Sequence, residues 1–165
     1  MQSIVVMGVS GCGKSSMGAA LARALDRPLI EGDEFHPPAN VEKMRTGVPL
    51  TDDDRVGWLD ALGRELQRHP GAVLACSALK RAYRDRLRAA SPGLRFVHLE
   101  LTRDESRRRV ATRAGGHYFH ASLVDSQFDT LESPRDEPGV LSVDATQPID
   151  ALCRQAVAWH TQDAP

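Results

Sequence analysis

The chain has 165 residues, 41% hydrophobic and 26% charged, with a formal net charge of −1. That is the composition of one globular domain around a single core, and it excludes bulk attraction to nucleic acid or to an anionic membrane. No apolar run approaches a membrane span, no basic leader precedes the first apolar stretch, and Cys12, Cys76 and Cys153 lack disulfide or metal-ligand spacing. These features predict reduced thiols in a cytoplasmic protein.

The first predicted element is a buried strand, Ser3-Ile4-Val5-Val6-Met7. It runs into Gly8-Val9-Ser10-Gly11-Cys12-Gly13-Lys14-Ser15, followed by Met17, Ala20, Leu21, Ala24 and Leu25 at the spacing of a helix with one buried face. Strand, glycine loop and helix in this order form a phosphate cradle, in which backbone N–H groups close on phosphate oxygens at a helix N-terminus. Gly8, Ser10, Gly11, Cys12, Gly13, Lys14, Ser15 and Ser16 are the candidate nucleotide-binding residues. Lys14 suits the β- and γ-phosphates, and the Ser15 hydroxyl suits Mg²⁺. A dinucleotide fingerprint does not fit, because Ser16 stands at its third glycine position. The motif implies a nucleoside triphosphate.

A second strand is predicted over 28–31, then an irregular stretch through Asn40 and a short helix over 41–45. Thr51-Asp52-Asp53-Asp54 has the form of a capping box opening a helix that buries Trp58, Leu59, Leu62 and Leu66, and it suits a cap better than a metal site. The third strand is expected over 72–76, followed by Ser77-Ala78-Leu79-Lys80 and a helix through Tyr83 and Leu87. The fourth is expected over 96–101, with Thr102 and Glu105 as a second capping box before an arginine-rich helix over 103–113. A helix over 122–131, a fifth strand over 140–143 and a last helix carrying Ile149, Leu152, Cys153, Ala156 and Val157 on one face complete the chain. This alternation predicts an α/β fold with a five-stranded parallel sheet and helices on both faces.

In such a sheet ligands bind beyond the carboxyl ends of the strands, so the phosphate loop, Asp33 with His36, and Ser77 with Lys80 are expected to converge on one cleft. Asp33 admits two readings, a carboxylate that takes a proton from an acceptor hydroxyl or orients Mg²⁺ through water, or else a cap on the next segment. His36, before two prolines, is either a ligand contact or a locally bonded imidazole. Only three of the 21 basic residues are lysine (Lys14, Lys43, Lys80), and Asn40 is the single asparagine. Lys43, Arg45, Lys80 and Arg84, if they face the cleft, suggest an anionic acceptor. Arg109 and Arg113 share a helix face, and either could fold over a γ-phosphate, with Gly115-Gly116 permitting a lid.

Three blocks of the chain resemble the gluconokinases of the small P-loop type. They are Leu29-Ile30-Glu31-Gly32-Asp33-Glu34-Phe35-His36-Pro37-Pro38-Ala39-Asn40-Val41-Glu42-Lys43-Met44 with Gly47-Val48-Pro49-Leu50-Thr51-Asp52-Asp53-Asp54-Arg55 and Trp58-Leu59; Cys76-Ser77-Ala78-Leu79-Lys80 with Tyr83-Arg84-Asp85; and Ser126-Gln127-Phe128 with Leu131-Glu132. The resemblance covers nearly the whole chain. It implies ATP-dependent phosphorylation of D-gluconate to 6-phosphogluconate in sugar-acid catabolism. It also implies a three-layer, shikimate-kinase-like P-loop fold in one domain with a lid over about 109–122, Mg²⁺ dependence and a homodimer. By position it assigns Lys14 and Ser15 to ATP and Mg²⁺, Asp33 to the acceptor hydroxyl, and His36, Lys80, Arg84 and Gln127 to the acceptor's surroundings. The lid stretch Arg113-Ala114-Gly115-Gly116-His117-Tyr118 is a residue longer than the family's, and His120 stands where proline is usual, so Arg113 and Arg109 both stay candidates.

Overall fold

The computed structural model describes residues 1–113 and 121–162, and of the expected lid, residues 114–120 lie outside it. Strands β1 (Ile4–Met7), β2 (Leu29–Glu31), β3 (Val73–Ala75), β4 (Arg95–Glu100) and β5 (Val140–Asp144) form one parallel sheet in the order β2-β3-β1-β4-β5. The helices are α1 (Lys14–Ala24), α2 (Pro38–Arg45), α3 (Asp52–Arg68), α4 (Arg81–Ala90), α5 (Arg103–Thr112), α6 (Leu123–Thr130) and α7 (Ile149–Gln162).

The sheet is apolar on both faces because both are covered, which is why β1 reads as a continuous β-branched run rather than an alternating one. Ile4 and Val6 face Met17 and Leu21 of α1 and Leu152 and Ala156 of α7. Val5 and Met7 face Trp58, Leu62 and Leu66 of α3 and Tyr83 and Leu87 of α4. The helix-sheet-helix arrangement is the three-layer α/β architecture expected.

Two local expectations change. The stretch after β2 is ordered: Gly32–Phe35 forms a 3₁₀ turn, and α2 starts at Pro38 rather than Val41, with proline in the first turn where its missing N–H costs nothing. The second capping box is half made. Thr102 Oγ1 accepts from the Glu105 amide, but the Glu105 carboxylate is taken by Arg108 and Arg109. At α3 the box is complete, Thr51 accepting from the Asp54 amide while the Asp54 carboxylate accepts from the Thr51 amide.

Candidate active site

A cleft of about 560 Å³ opens at the carboxyl ends of β1, β2 and β3. The phosphate loop forms one end and the segment after β2 the other. Gly8 needs its glycine, since a Cβ there would come within 2.8 Å of the Leu99 carbonyl oxygen. Gly13, at φ 93°, takes the left-handed conformation that starts α1 with its first amides turned to the loop. The Ser10 amide donates to Gln127 Oε1 at 2.7 Å, which brings α6 against the loop; the resemblance had assigned Gln127 to the acceptor's surroundings. Cys12 is buried in the loop, its Sγ 4.0 Å from Lys14 Nζ. Lys14 Nζ donates to the Gly8 and Val9 carbonyls at 3.0 and 3.1 Å, and Lys14, Ser15 and Ser16 all line the cleft.

Ser15 Oγ donates to Glu31 Oε2 at 2.9 Å, so the last residue of β2 stands beside the loop hydroxyl. Sequence reasoning overlooked Glu31; its spacing of two from Asp33, across the strand end, was the available signal. Asp33 lines the cleft with a side chain 69% exposed. The 3₁₀ turn that carries it lies tight against β3, where a Cβ on Gly32 would meet the Ala75 carbonyl oxygen at 2.6 Å. Trp58 Nε1 donates to the Gly32 carbonyl at 2.7 Å, and its ring stacks on His36 at 4.1 Å between centroids. Burial pushes the His36 imidazole down to about 4, with the Asp33 charge opposing and the Arg55 charge assisting, so the ring is neutral at pH 7.

The expected cluster of acceptor-side cations is not what the fold builds. Lys43 Nζ is bound by Asp54 at 2.8 Å, Arg45 is an exposed pair with Glu42, and Lys80 is bound by Asp52 at 3.0 Å. Arg84 is fully buried, clamped on Glu137 and donating to the Ala78, Leu79 and Glu132 carbonyls. None of these four lines the cleft. The physical reason lies in the acid run at the head of α3, which draws the two lysines to itself, and in a carboxylate inside the fold that draws Arg84. Arg84 holds the Ala78 and Leu79 carbonyls, in a turn where Ala78 takes a positive φ of 44°. Arg55 does line the cleft, where it donates to the Leu50 carbonyl and to Tyr83 Oη.

Of the two candidate arginines, Arg113 lines the cleft. Arg109 wraps the outside of the phosphate loop, donating to the Gly11 and Ala145 carbonyls at 3.0 and 3.1 Å and to Glu105. Among the described residues no cluster of three or more His, Cys, Asp or Glu could hold a metal ion, and no helix is long and apolar enough to cross a membrane.

A phosphate loop, a carboxylate at the next strand end and an arginine lining the same cleft on this sheet define a P-loop phosphotransferase. The family described as AAA domain matches residues 4–138. The chain is 45% identical over 158 residues to a gluconokinase of Gluconobacter oxydans, covering 93% of this chain and 88% of that protein. A crystal structure of a gluconokinase from Sinorhizobium meliloti superposes with a TM-score of 0.85 at 46% identity, over 99% of this chain and 98% of that one. Shikimate kinase from Aquifex aeolicus, at 14% identity, shares the fold with a TM-score of 0.63 over 98% of each chain. The chain belongs to the gluconokinase family.

Proposed function

We propose that this chain transfers the γ-phosphoryl group of ATP to the 6-hydroxyl of D-gluconate, giving 6-phospho-D-gluconate and ADP. The observation that carries this reading is that Asp33 and the Lys14–Ser15 pair line one cleft from two different strand ends. That geometry supports a roughly in-line transfer between a nucleotide at the loop and a hydroxyl beside the carboxylate. Asp33 accepts the hydroxyl proton as the oxygen attacks phosphorus. Lys14 and Arg113 offset the charge that spreads over the phosphoryl oxygens and the leaving ADP. Arg55, at the acceptor end, suits the gluconate carboxylate.

The donor set around Ser15 suits Mg²⁺, since a hydroxyl and the Glu31 carboxylate are the hard oxygen ligands that ion takes in a site completed by nucleotide phosphates. Ser15 would hold it, with Glu31 alongside. When bound, Mg²⁺ neutralises charge on the β- and γ-phosphates. We read the chain as one kinase domain acting as a homodimer in the cytoplasm, in sugar-acid catabolism. The dimer is checked by sedimentation of the purified protein.

The deciding experiment measures ADP release from Mg²⁺-ATP with no acceptor, then with gluconate, its stereoisomers, shikimate and a nucleoside monophosphate. Turnover with gluconate above all others is expected. Turnover only with shikimate or a nucleotide would overturn the substrate, and no acceptor-dependent turnover would overturn the reaction.

A further inference from the structure

We infer that Asn40 is a positioning residue that holds His36 in the tautomer with its proton on Nε2, so that a hydrogen-bond donor faces Asp33 at the acceptor end of the cleft. Asn40 is 3% exposed, and its Nδ2 donates to the Asp54 carbonyl oxygen at 2.8 Å. A carbonyl oxygen only accepts, so the amide orientation is assigned by chemistry rather than by choice. The same Nδ2 lies 3.3 Å from His36 Nδ1. An amide NH₂ offers only hydrogens, so Nδ1 must present a lone pair and the proton of a neutral ring must sit on Nε2.

The ring is fixed face-on by its stack on Trp58, 14° from parallel, and its side chain is only 4% exposed, so what reaches the cleft is an edge. Nδ1 is turned to Asn40, which leaves Nε2, 4.0 Å from Asp33 Oδ1. One hydroxyl oxygen about 2.8 Å from each atom spans that gap, with about 90° between the two hydrogen bonds. Such a hydroxyl donates to Asp33 and accepts from His36 through one lone pair, which leaves its other lone pair for attack on phosphorus. The opposite tautomer would set a lone pair against the same oxygen. The role given to the hydroxyl rests on the proposed kinase reading, and the tautomer itself does not.

The test has a spectroscopic arm and a kinetic arm. In protein labelled with ¹⁵N-histidine, long-range ¹H–¹⁵N correlation at pH 7 without substrate should show His36 with a protonated Nε2 and an unprotonated Nδ1. A protonated Nδ1 in the wild-type protein overturns the inference, whatever the acceptor proves to be. Asn40→Asp, whose carboxylate only accepts, should draw a proton to Nδ1. It should also raise the KM for gluconate about tenfold with the KM for ATP unchanged. His36→Phe keeps the stack on Trp58 but removes the donor, and the same rise is expected. The double variant should be no worse than His36→Phe alone, because Asn40 acts through the imidazole. Additive effects, or an unaltered gluconate KM in His36→Phe, would reject the positioning role. If Asn40→Asp does not fold, the wild-type spectrum and His36→Phe still decide.

Discussion

Ser15 Oγ and Glu31 Oε2, 2.9 Å apart, join the first turn of α1 to the last residue of β2. A carboxylate in that position orients the hydroxyl's oxygen and adds negative charge where a divalent cation would sit. Outer contacts of this kind contribute about ten- to a hundredfold to metal affinity or activity. Glu31→Gln is therefore expected to raise the Mg²⁺ concentration for half-maximal turnover about tenfold or more, measured at saturating ATP and acceptor. An unshifted Mg²⁺ titration would remove Glu31 from the site.

Asp33 and Lys14 separate transfer from binding. Asp33→Asn keeps size and loses the base, so turnover should fall about a hundredfold or more while nucleotide affinity stays within about twofold. Lys14→Ala should weaken both, because one ammonium serves the phosphates in the ground state and in transfer. The check is ATP binding by calorimetry beside single-turnover transfer. Normal turnover in Asp33→Asn would defeat the proposed mechanism.

Arg84, a candidate acceptor contact in the sequence, serves the fold, while Arg55 lines the cleft. Arg84 is buried against Glu137, which also accepts from Arg88 at 2.8 Å. Arg84→Ala should cost about 3 kcal/mol of stability, the lower end for breaking a buried pair, since Arg88 still serves the carboxylate. Urea unfolding measures it, and the folded fraction should keep its gluconate KM. Arg55→Ala should do the reverse, raising gluconate KM about tenfold or more at nearly unchanged stability. A large stability loss with intact KM would show that Arg55 serves only the Tyr83 and Leu50 contacts.

Acid stability follows from buried imidazoles. Burial pushes His98 down to about 4, with Glu100 opposing and Arg84 and Arg135 assisting. The ring lies against Ser142 and Glu100. A histidine whose folded value is depressed contributes stability that is complete above its ordinary value near 6.5 and is lost as pH falls toward 4, because the unfolded chain takes the proton first. Between pH 7 and pH 5 that amounts to about 2 kcal/mol for His98. His36, also near 4, adds to the same window. Asp54 and Glu105 are held down to about 2 by their cationic partners, so they act only below this range. Replacing His98 with an apolar ring of similar size, His98→Phe, should flatten the unfolding profile over pH 7 to 5. An unchanged slope would place the acid-sensitive group elsewhere.

What the letters determined by themselves was most of what depends on neighbours along the chain. Apolar runs bounded by glycine set the five strands, Thr51 with Asp54 set the start of α3, and the glycine loop before Lys14 set the phosphate end of the cleft. Each is a local rule of period, cap or backbone freedom, so each is readable in one dimension. The position of Asp33 at a strand end was legible for the same reason. The tertiary structure alone decided which charges the cleft keeps. Lys43, Lys80 and Arg84 are sequence neighbours of cleft residues, yet each is claimed by a carboxylate, Asp54, Asp52 or Glu137, standing 11, 28 or 53 positions away. Arg55 and Glu31 reach the cleft only because α3 and β2 pack as they do. An ion pair is set by distance in space, and the sequence order of its partners carries almost none of that information.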